Sequence, residues 1–151
     1  MYKFLLILLF AYGLAITTDD IYDNSYALFI GIDKYQNVQN LHYAVKDAES
    51  MQSMMVEYFD FPEDNVIMLL NEEATYNNIR RQFSEISKSS GENDRVLIFF
   101  AGHGETIDLP EGGEKGYLLP YDGDRDDLYL TAVAMDELKQ IAFMSKAKHI
   151  L

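Results

Sequence analysis

Apolar residues along the chain form short unbroken runs that alternate with longer stretches in which they recur at helical spacing. Segments built on these runs, at residues 26–32, 65–70 and 96–101, predict strands buried on both faces, as in a parallel sheet. The periodic stretches predict helices at residues 43–59 and 75–89. Because strands and helices alternate, we predict an α/β fold with right-handed crossovers and a mostly parallel sheet covered by helices.

The last third of the chain carries weaker signals. Residues 104–116 are polar and predict a long loop, and residues 116–122 predict a short extended segment that Pro120 limits. Apolar positions at helical spacing predict a helix over 130–144, and residues 146–151 predict the opening of a further strand. We therefore predict a single α/β domain in which the chain stops at the start of a fourth strand.

The N-terminal residues have the pattern of a secretory signal. Lys3 gives a short basic region, and residues 4–14 are predominantly apolar. We predict a signal peptide over residues 1–18, a polar lead-in over 19–25 and the domain over 26–151, hence a secreted or extracytoplasmic protein. The apolar run is short for a transmembrane helix, so no stable membrane span is expected after signal removal. An uncleaved signal that anchors the protein in the membrane is the alternative.

Charge and composition narrow the classes of function. The chain has 12 Lys and Arg against 25 Asp and Glu, and its net charge of −13 would repel phosphate backbones, so nucleic-acid binding is not expected. This acidic surface could bind a basic ligand or Ca²⁺. The alternative is an acidic surface that only contacts solvent. No cysteine occurs among the 151 residues, which excludes disulfides, thiolate metal sites and a cysteine nucleophile within them.

The third predicted strand ends at once in Gly102, His103 and Gly104. Glycines let the backbone turn sharply and approach a ligand closely. In open α/β sheets, ligands bind at the carboxyl ends of the strands, which is where this turn would lie. His103 is therefore a candidate for acid–base chemistry near neutral pH. A structural histidine in a tight turn is the alternative.

Five segments match, in order and with compatible spacing, the pattern of a known family. They are residues 26–35, 41–48, 61–66, 94–104 and 116–122. The second segment carries the family's L-x-x-A-x-x-D-A helix start, the fourth its G-H-G histidine, and the fifth its G-Y-L-L-P-x-D sequence. On these residues the chain resembles the N-terminal part of a caspase domain, of the metacaspase-like kind found outside animals.

The resemblance implies a caspase-like three-layer sandwich and a cysteine endopeptidase with a Cys–His dyad that acts on peptides or proteins. By position, His103 would be the histidine of the dyad, and Gly104 would donate an N–H to the oxyanion. Asp47 matches an acidic residue that in metacaspases helps form the pocket for the residue before the cleaved bond. That match implies a preference for Arg or Lys, and a plain carboxylate on a helix face is the alternative.

The chain departs from the family pattern at the nucleophile. In caspases the cysteine lies about 50 residues after the histidine, whereas 151 − 103 = 48 residues follow His103 here. We therefore expect the family's Asp-x-Cys-x-Gly block to lie just past Leu151 rather than to be substituted. The alternative is a non-catalytic pseudo-peptidase, a short form that binds a peptide or a partner without cutting it.

The acidic segment 122–127 resembles the start of an EF-hand calcium loop. It lacks glycine at the sixth position, Asp127, and glutamate at the twelfth, Val133. We therefore prefer an acidic surface turn and predict no metal site and no cofactor. A Ca²⁺ site without the full EF-hand pattern is the alternative, since many metacaspases respond to Ca²⁺.

Overall fold

The computed structural model describes residues 17–18 and 21–151, so the predicted signal peptide lies outside the described residues apart from its last two. The strands and helices of the described part are β1 (Ser25–Gly31), α1 (Ala44–Tyr58), β2 (Val66–Leu70), α2 (Tyr76–Ser89), β3 (Arg95–Ala101), β4 (Gly104–Asp108), β5 (Glu114–Leu118), α3 (Leu128–Thr131), β6 (Val133–Ala134), α4 (Met135–Met144) and β7 (His149–Ile150). Among these helices, none is long and apolar enough to cross a membrane.

The main sheet is parallel throughout and has the strand order β2-β1-β3-β7. β1 lies inside it, with Phe29 paired to Met68 on one side and to Phe99 on the other. β7 is the fourth strand and pairs His149 and Ile150 with the first two residues of β3. The predicted parallel sheet and the helices between its first three strands are therefore confirmed.

Alternate residues of β1 point to opposite faces of the sheet, and each face has its own helical layer. On one face, Ala27 and Phe29 pack with Ala48 of α1. On the other face, Leu28 and Ile30 belong to a larger cluster with α2 and α4; its helical members include Ile79, Phe83, Ile86 and Ile141. The predicted three-layer sandwich is confirmed, and burial on both faces explains why β1 is an unbroken apolar run.

α1 lies very close to the carboxyl end of β1, because Gly31 has no side chain. A Cβ at Gly31 would lie 2.8 Å from the Ala44 carbonyl oxygen and 2.8 Å from the Ala48 Cβ. Both distances are shorter than van der Waals contact, so a side chain there would push the helix away. The close approach brings the first turns of α1, which carry Asp47, to the end of the sheet where the chain turns at His103.

A second sheet follows β3; it is antiparallel and has the order β4-β5-β6. The predicted loop over 104–116 is therefore wrong, since β4 and β5 pair from Gly104 with Leu118 to Asp108 with Glu114. Four of the five residues of β4 are exposed. A strand that buries so little carries no apolar run, so the hydrophobic pattern could not reveal it.

The predicted helix over 130–144 is wrong in its first part. α3 ends at Thr131, β6 intervenes, and α4 begins at Met135. Val133 of β6 is fully buried and pairs with Leu118 of β5. The apolar spacing of this short segment is compatible with a helix and with a strand. Burial of Val133 and its pairing with β5 decide in favour of a strand. From Met135 onward the predicted helix is confirmed.

Candidate active site

His103 lies just beyond the carboxyl end of β3, and its imidazole ring is hydrogen-bonded at one nitrogen. The imidazole Nε2 is 2.8 Å from the Gln39 carbonyl oxygen. A carbonyl oxygen only accepts hydrogen bonds, so the neutral ring carries its proton on Nε2 and leaves Nδ1 as a proton acceptor. Nδ1 makes no hydrogen bond with any residue that the structure describes. His103 is half-buried, so its ring is both oriented and accessible.

Tyr35 holds the backbone of the same histidine. The His103 backbone N–H donates to the Tyr35 hydroxyl oxygen at 2.8 Å, and the two ring centroids are 4.9 Å apart. Burial of Tyr35 raises the pKa of its phenol; the His103 N–H opposes this shift, the Asp33 charge adds to it, and Arg125 opposes it. The phenol is therefore neutral at physiological pH.

The glycines that flank His103 have different surroundings. A Cβ at Gly102 would lie 2.6 Å from the Tyr35 hydroxyl oxygen and 2.8 Å from Cζ of Phe100, so packing leaves no room for a side chain. A Cβ at Gly104 would meet only the Tyr117 carbonyl oxygen, at an ordinary contact distance of 3.7 Å. The described structure thus gives no steric reason for glycine at position 104, where the exposed backbone stays open to an approaching ligand.

The loop between β1 and α1 supplies both contacts to His103, and side chains fix its shape. Asn71 Oδ1 accepts the backbone N–H groups of Asp33 and of the next residue, each at 3.0 Å. Asp33 Oδ1 in turn accepts the Ala44 N–H at 2.7 Å. Asn40 Oδ1 accepts the Tyr35 N–H at 2.9 Å. The loop therefore has a defined conformation, although most of it is exposed.

Asp47 is exposed on α1 and lines two neighbouring surface hollows. One, of about 380 Å³, extends from Asp47 past Tyr43 to Gly102, next to His103. The other, of about 360 Å³, has Met51 and Phe99 beside the carboxylate. Asp47 makes no ion pair within the described part of the chain. The structure thus brings the predicted residues Asp47, His103 and Gly104 to one end of the main sheet.

Three carboxylates of the acidic segment 122–127 accept hydrogen bonds from backbone N–H groups. Asp122 Oδ1 accepts the N–H of the first residue of α2 at 2.8 Å. Asp124 and Asp127 accept N–H groups of the turns that follow them, at 2.9 and 3.3 Å. No group of three or more histidine and carboxylate side chains in the described residues is placed to hold a metal ion. The observed geometry is that of a capped acidic turn.

Tyr35 and Gln39 are the site residues that sequence analysis missed. Tyr35 lies in the first segment of the family pattern, but its bond to His103 spans 68 positions of the chain. Gln39 contributes a backbone carbonyl oxygen, so its residue type carries no signal. The Asp-Lys-Tyr sequence that begins two residues after β1 is the one local feature that could have pointed to Tyr35.

Comparisons with known proteins agree with this architecture. Residues 24–149 match the caspase domain, a peptidase family. Metacaspase-7 of Arabidopsis thaliana is 31% identical over 94 residues, which are 59% of this chain and 23% of that protein. Metacaspase-1A of Aspergillus oryzae is 29% identical over 110 residues, which are 68% of this chain and 23% of that protein. The chain thus spans about a quarter of the length of these curated relatives.

A solved structure shows the same fold. The crystal structure of protein GSU0716 from Geobacter sulfurreducens superposes with a TM-score of 0.69 at 18% sequence identity, covering 84% of this chain and 48% of that one. At this identity the likeness concerns the fold alone. The family match over residues 24–149 covers most of the chain. The chain therefore belongs to the caspase domain family of peptidases.

Proposed function

We propose that this chain provides the histidine half of a cysteine endopeptidase site, with His103 as the general base and Gly104 as an oxyanion donor. The observation that carries the proposal is the 2.8 Å contact of Nε2 with the Gln39 carbonyl oxygen, because it leaves Nδ1 as the basic nitrogen. The 151 residues contain no cysteine. The thiol would therefore come from polypeptide outside them.

The proposed reaction is an acyl transfer through a thioester. Nδ1 of His103 accepts the thiol proton, and the thiolate attacks the scissile carbonyl carbon. The backbone N–H of Gly104 stabilises the negative charge that forms on the carbonyl oxygen. The imidazolium then returns its proton to the leaving amine, and water hydrolyses the thioester with His103 again as base. The Gln39 carbonyl accepts the Nε2–H throughout and stabilises the imidazolium.

We propose Asp47 as the residue that selects a cationic side chain before the cleaved bond. Its carboxylate is exposed and lines the hollow that reaches Gly102. Arg or Lys in this hollow would pair with the carboxylate, whereas an acidic side chain would be repelled. Asp47→Asn keeps the shape and removes the charge. It should raise KM for Arg and Lys substrates, and an unchanged preference would leave Asp47 as a surface carboxylate.

The test of the function is peptidase activity of the full-length protein that contains this chain, measured with peptides carrying Arg or Lys before the scissile bond. His103→Ala should lower kcat by roughly 10³-fold or more with little change in the thermal melt, because the general base is lost. His149→Gln is the control for loss of a histidine, since His149 lies on β7 at the opposite end of the sheet. Retained activity in His103→Ala would contradict the proposal.

Secretion and calcium dependence stay proposals that rest on the sequence. The signal pattern of residues 1–18 supports secretion, and an uncleaved anchor is the alternative. N-terminal sequencing of the mature protein from culture medium distinguishes them. Activity measured with and without a calcium chelator tests the calcium proposal.

A further inference from the structure

The contacts to His103 come from the two ends of one short loop. Tyr35, at one end, accepts the His103 backbone N–H at 2.8 Å. Gln39, near the other end, accepts the imidazole Nε2–H at 2.8 Å. One segment therefore holds both the main chain and the ring of the same residue. Together, these contacts fix the main chain of His103 at one point and its ring at another.

Tyr35 is buried, with 8% of its surface exposed, whereas its partner His103 is half-buried. Its ring packs against the imidazole with a centroid distance of 4.9 Å and an interplanar angle of 50°. The absence of a side chain at Gly102 is what admits the phenolic oxygen to the turn. A buried tyrosine is stiff, so its contacts hold the histidine in one place.

Asn40 closes the loop by a bond between its ends. Asn40 Oδ1 accepts the Tyr35 backbone N–H at 2.9 Å, and Asn40 directly follows Gln39. The side chain thus fixes the distance between the residue that holds the main chain of His103 and the carbonyl that holds its ring. Asn40 is exposed, so the bond owes little to core packing and can be altered without disturbing the core.

We propose that Tyr35 is a positioning residue for His103, and that Asn40 couples it to the Gln39 carbonyl so that Nε2 stays protonated and Nδ1 faces the reacting thiol. The inference rests on the proposed function of His103 as general base. Tyr35 acts through the histidine and does not touch substrate. The preorganised ring needs no reorientation when the thiol proton is transferred, which is where such positioning raises kcat.

The first test is Tyr35→Phe in the full-length protein, which keeps the ring and removes the hydroxyl. We expect kcat to fall about tenfold with KM unchanged, as for loss of one ordinary hydrogen bond in the transition state. The ¹⁵N shifts of His103 should also change from a single Nε2–H tautomer to a mixture. Tyr26→Phe, a half-buried tyrosine at the opposite end of β1, is the matched control and should change neither quantity.

The second test covers a Tyr35→Phe variant that fails to fold. Asn40→Ala removes the acceptor of the Tyr35 N–H at an exposed position, and it should likewise lower kcat and mix the tautomers. Asn40→Asp keeps an oxygen in the same place and should restore both. Equal kcat and equal His103 shifts in Asn40→Ala and the wild type would overturn the coupling role of Asn40.

The outcomes separate this inference from the function on which it rests. If His103→Ala abolishes activity while Tyr35→Phe keeps the wild-type kcat and tautomer, the positioning role is wrong and the general base stands. A lower kcat in Tyr35→Phe with an unchanged tautomer also overturns it, because the effect then bypasses the imidazole. If His103→Ala stays active, the proposed function itself fails, whatever Tyr35→Phe shows.

Discussion

At the scale of single residues, two glycines flank His103, and packing requires only the first of them. The Tyr35 hydroxyl and the Phe100 ring occupy the space of a side chain at Gly102, whereas a side chain at Gly104 would find ordinary contact distances. Packing therefore accounts for glycine at 102 and does not account for glycine at 104.

Gly102→Ala and Gly104→Ala should separate stability from activity. Gly102→Ala should lower the free energy of unfolding by about 1–3 kcal/mol, because the buried Tyr35 must shift. Gly104→Ala should stay within about 0.5 kcal/mol of the wild type and should still lower peptidase activity, because a methyl group obstructs the substrate. Urea unfolding and the peptidase assay measure the two effects. Equal stability of the two variants would contradict the steric account.

Tyr35 should make stability depend on alkaline pH. Burial raises the pKa of its phenol in the folded state, so above the unfolded value of about 10 the unfolded chain binds fewer protons than the folded one. The stability that the neutral phenol contributes is full below pH 10 and is lost as the pH rises through the folded pKa. The unfolding free energy of wild type minus Tyr35→Phe should be constant from pH 7 to 9 and should decrease above pH 10. A constant difference up to pH 11 would show that the two pKa values do not differ.

At the scale of elements, α1 is capped by a residue from outside the helix. Its own N-cap residue, Tyr43, makes no side-chain cap, and Asp33 supplies the acceptor for the Ala44 N–H at 2.7 Å. Asp33 directly follows Ile32 after β1, so the bond ties the helix start to the end of the central strand. The position of Asp47 on α1 depends on this tie.

Asp33→Ala should lower the free energy of unfolding by about 1 kcal/mol, as for loss of an N-cap acceptor. Asp33→Asn keeps a carbonyl oxygen and should recover most of the loss; the remainder measures the interaction of the charge with the helix dipole. Chemical denaturation of the three proteins gives these differences. If Asp33→Asn is as unstable as Asp33→Ala, the cap does not act through its oxygen.

Elements whose signal is local were predictable, and those defined by pairing were not. β1 has an apolar run and α2 has an apolar helical face. Thr75, at the start of the predicted helix, caps α2 by accepting the Asn78 N–H. β4 and β6 exist because β5 lies between them. The residues of β4 are mostly polar, and those of β6 fit a helical pattern, so the sequence of neither strand indicates a strand.

At the scale of the whole molecule, Arg95 at the start of β3 contacts the start of β1 and the segment that follows α1. Its Nε donates to Ser25 Oγ at 2.7 Å, and Nη2 donates to the Phe59 carbonyl oxygen. The guanidinium also lies 5.0 Å from the ring centre of Tyr22 and 4.3 Å from that of Phe61. Residues 22–25 and 59–61 thus meet the guanidinium of β3 at the end of the sheet opposite to His103.

Arg95→Lys should lower the free energy of unfolding by about 1–2 kcal/mol although the charge is kept. An ammonium group lacks both the planar fork of donors and the flat face that packs against an aromatic ring. Peptidase activity should be unchanged, because the site lies at the other end of the sheet. Thermal unfolding and the peptidase assay provide the two readings. An unchanged melting temperature would mean that charge alone accounts for the role of Arg95.

The sequence by itself determined the order of strands and helices in the parallel sheet, the family pattern, and the choice of His103, Gly104 and Asp47, because these depend on local periodicity and short motifs. Only the tertiary structure decided which neighbours hold the histidine. Tyr35 meets His103 across 68 positions and Gln39 acts through its backbone. The second sheet likewise arises from pairing between strands, whose hydrogen bonds use backbone groups that nearly every residue carries, so the exposed residues of β4 do not reveal them.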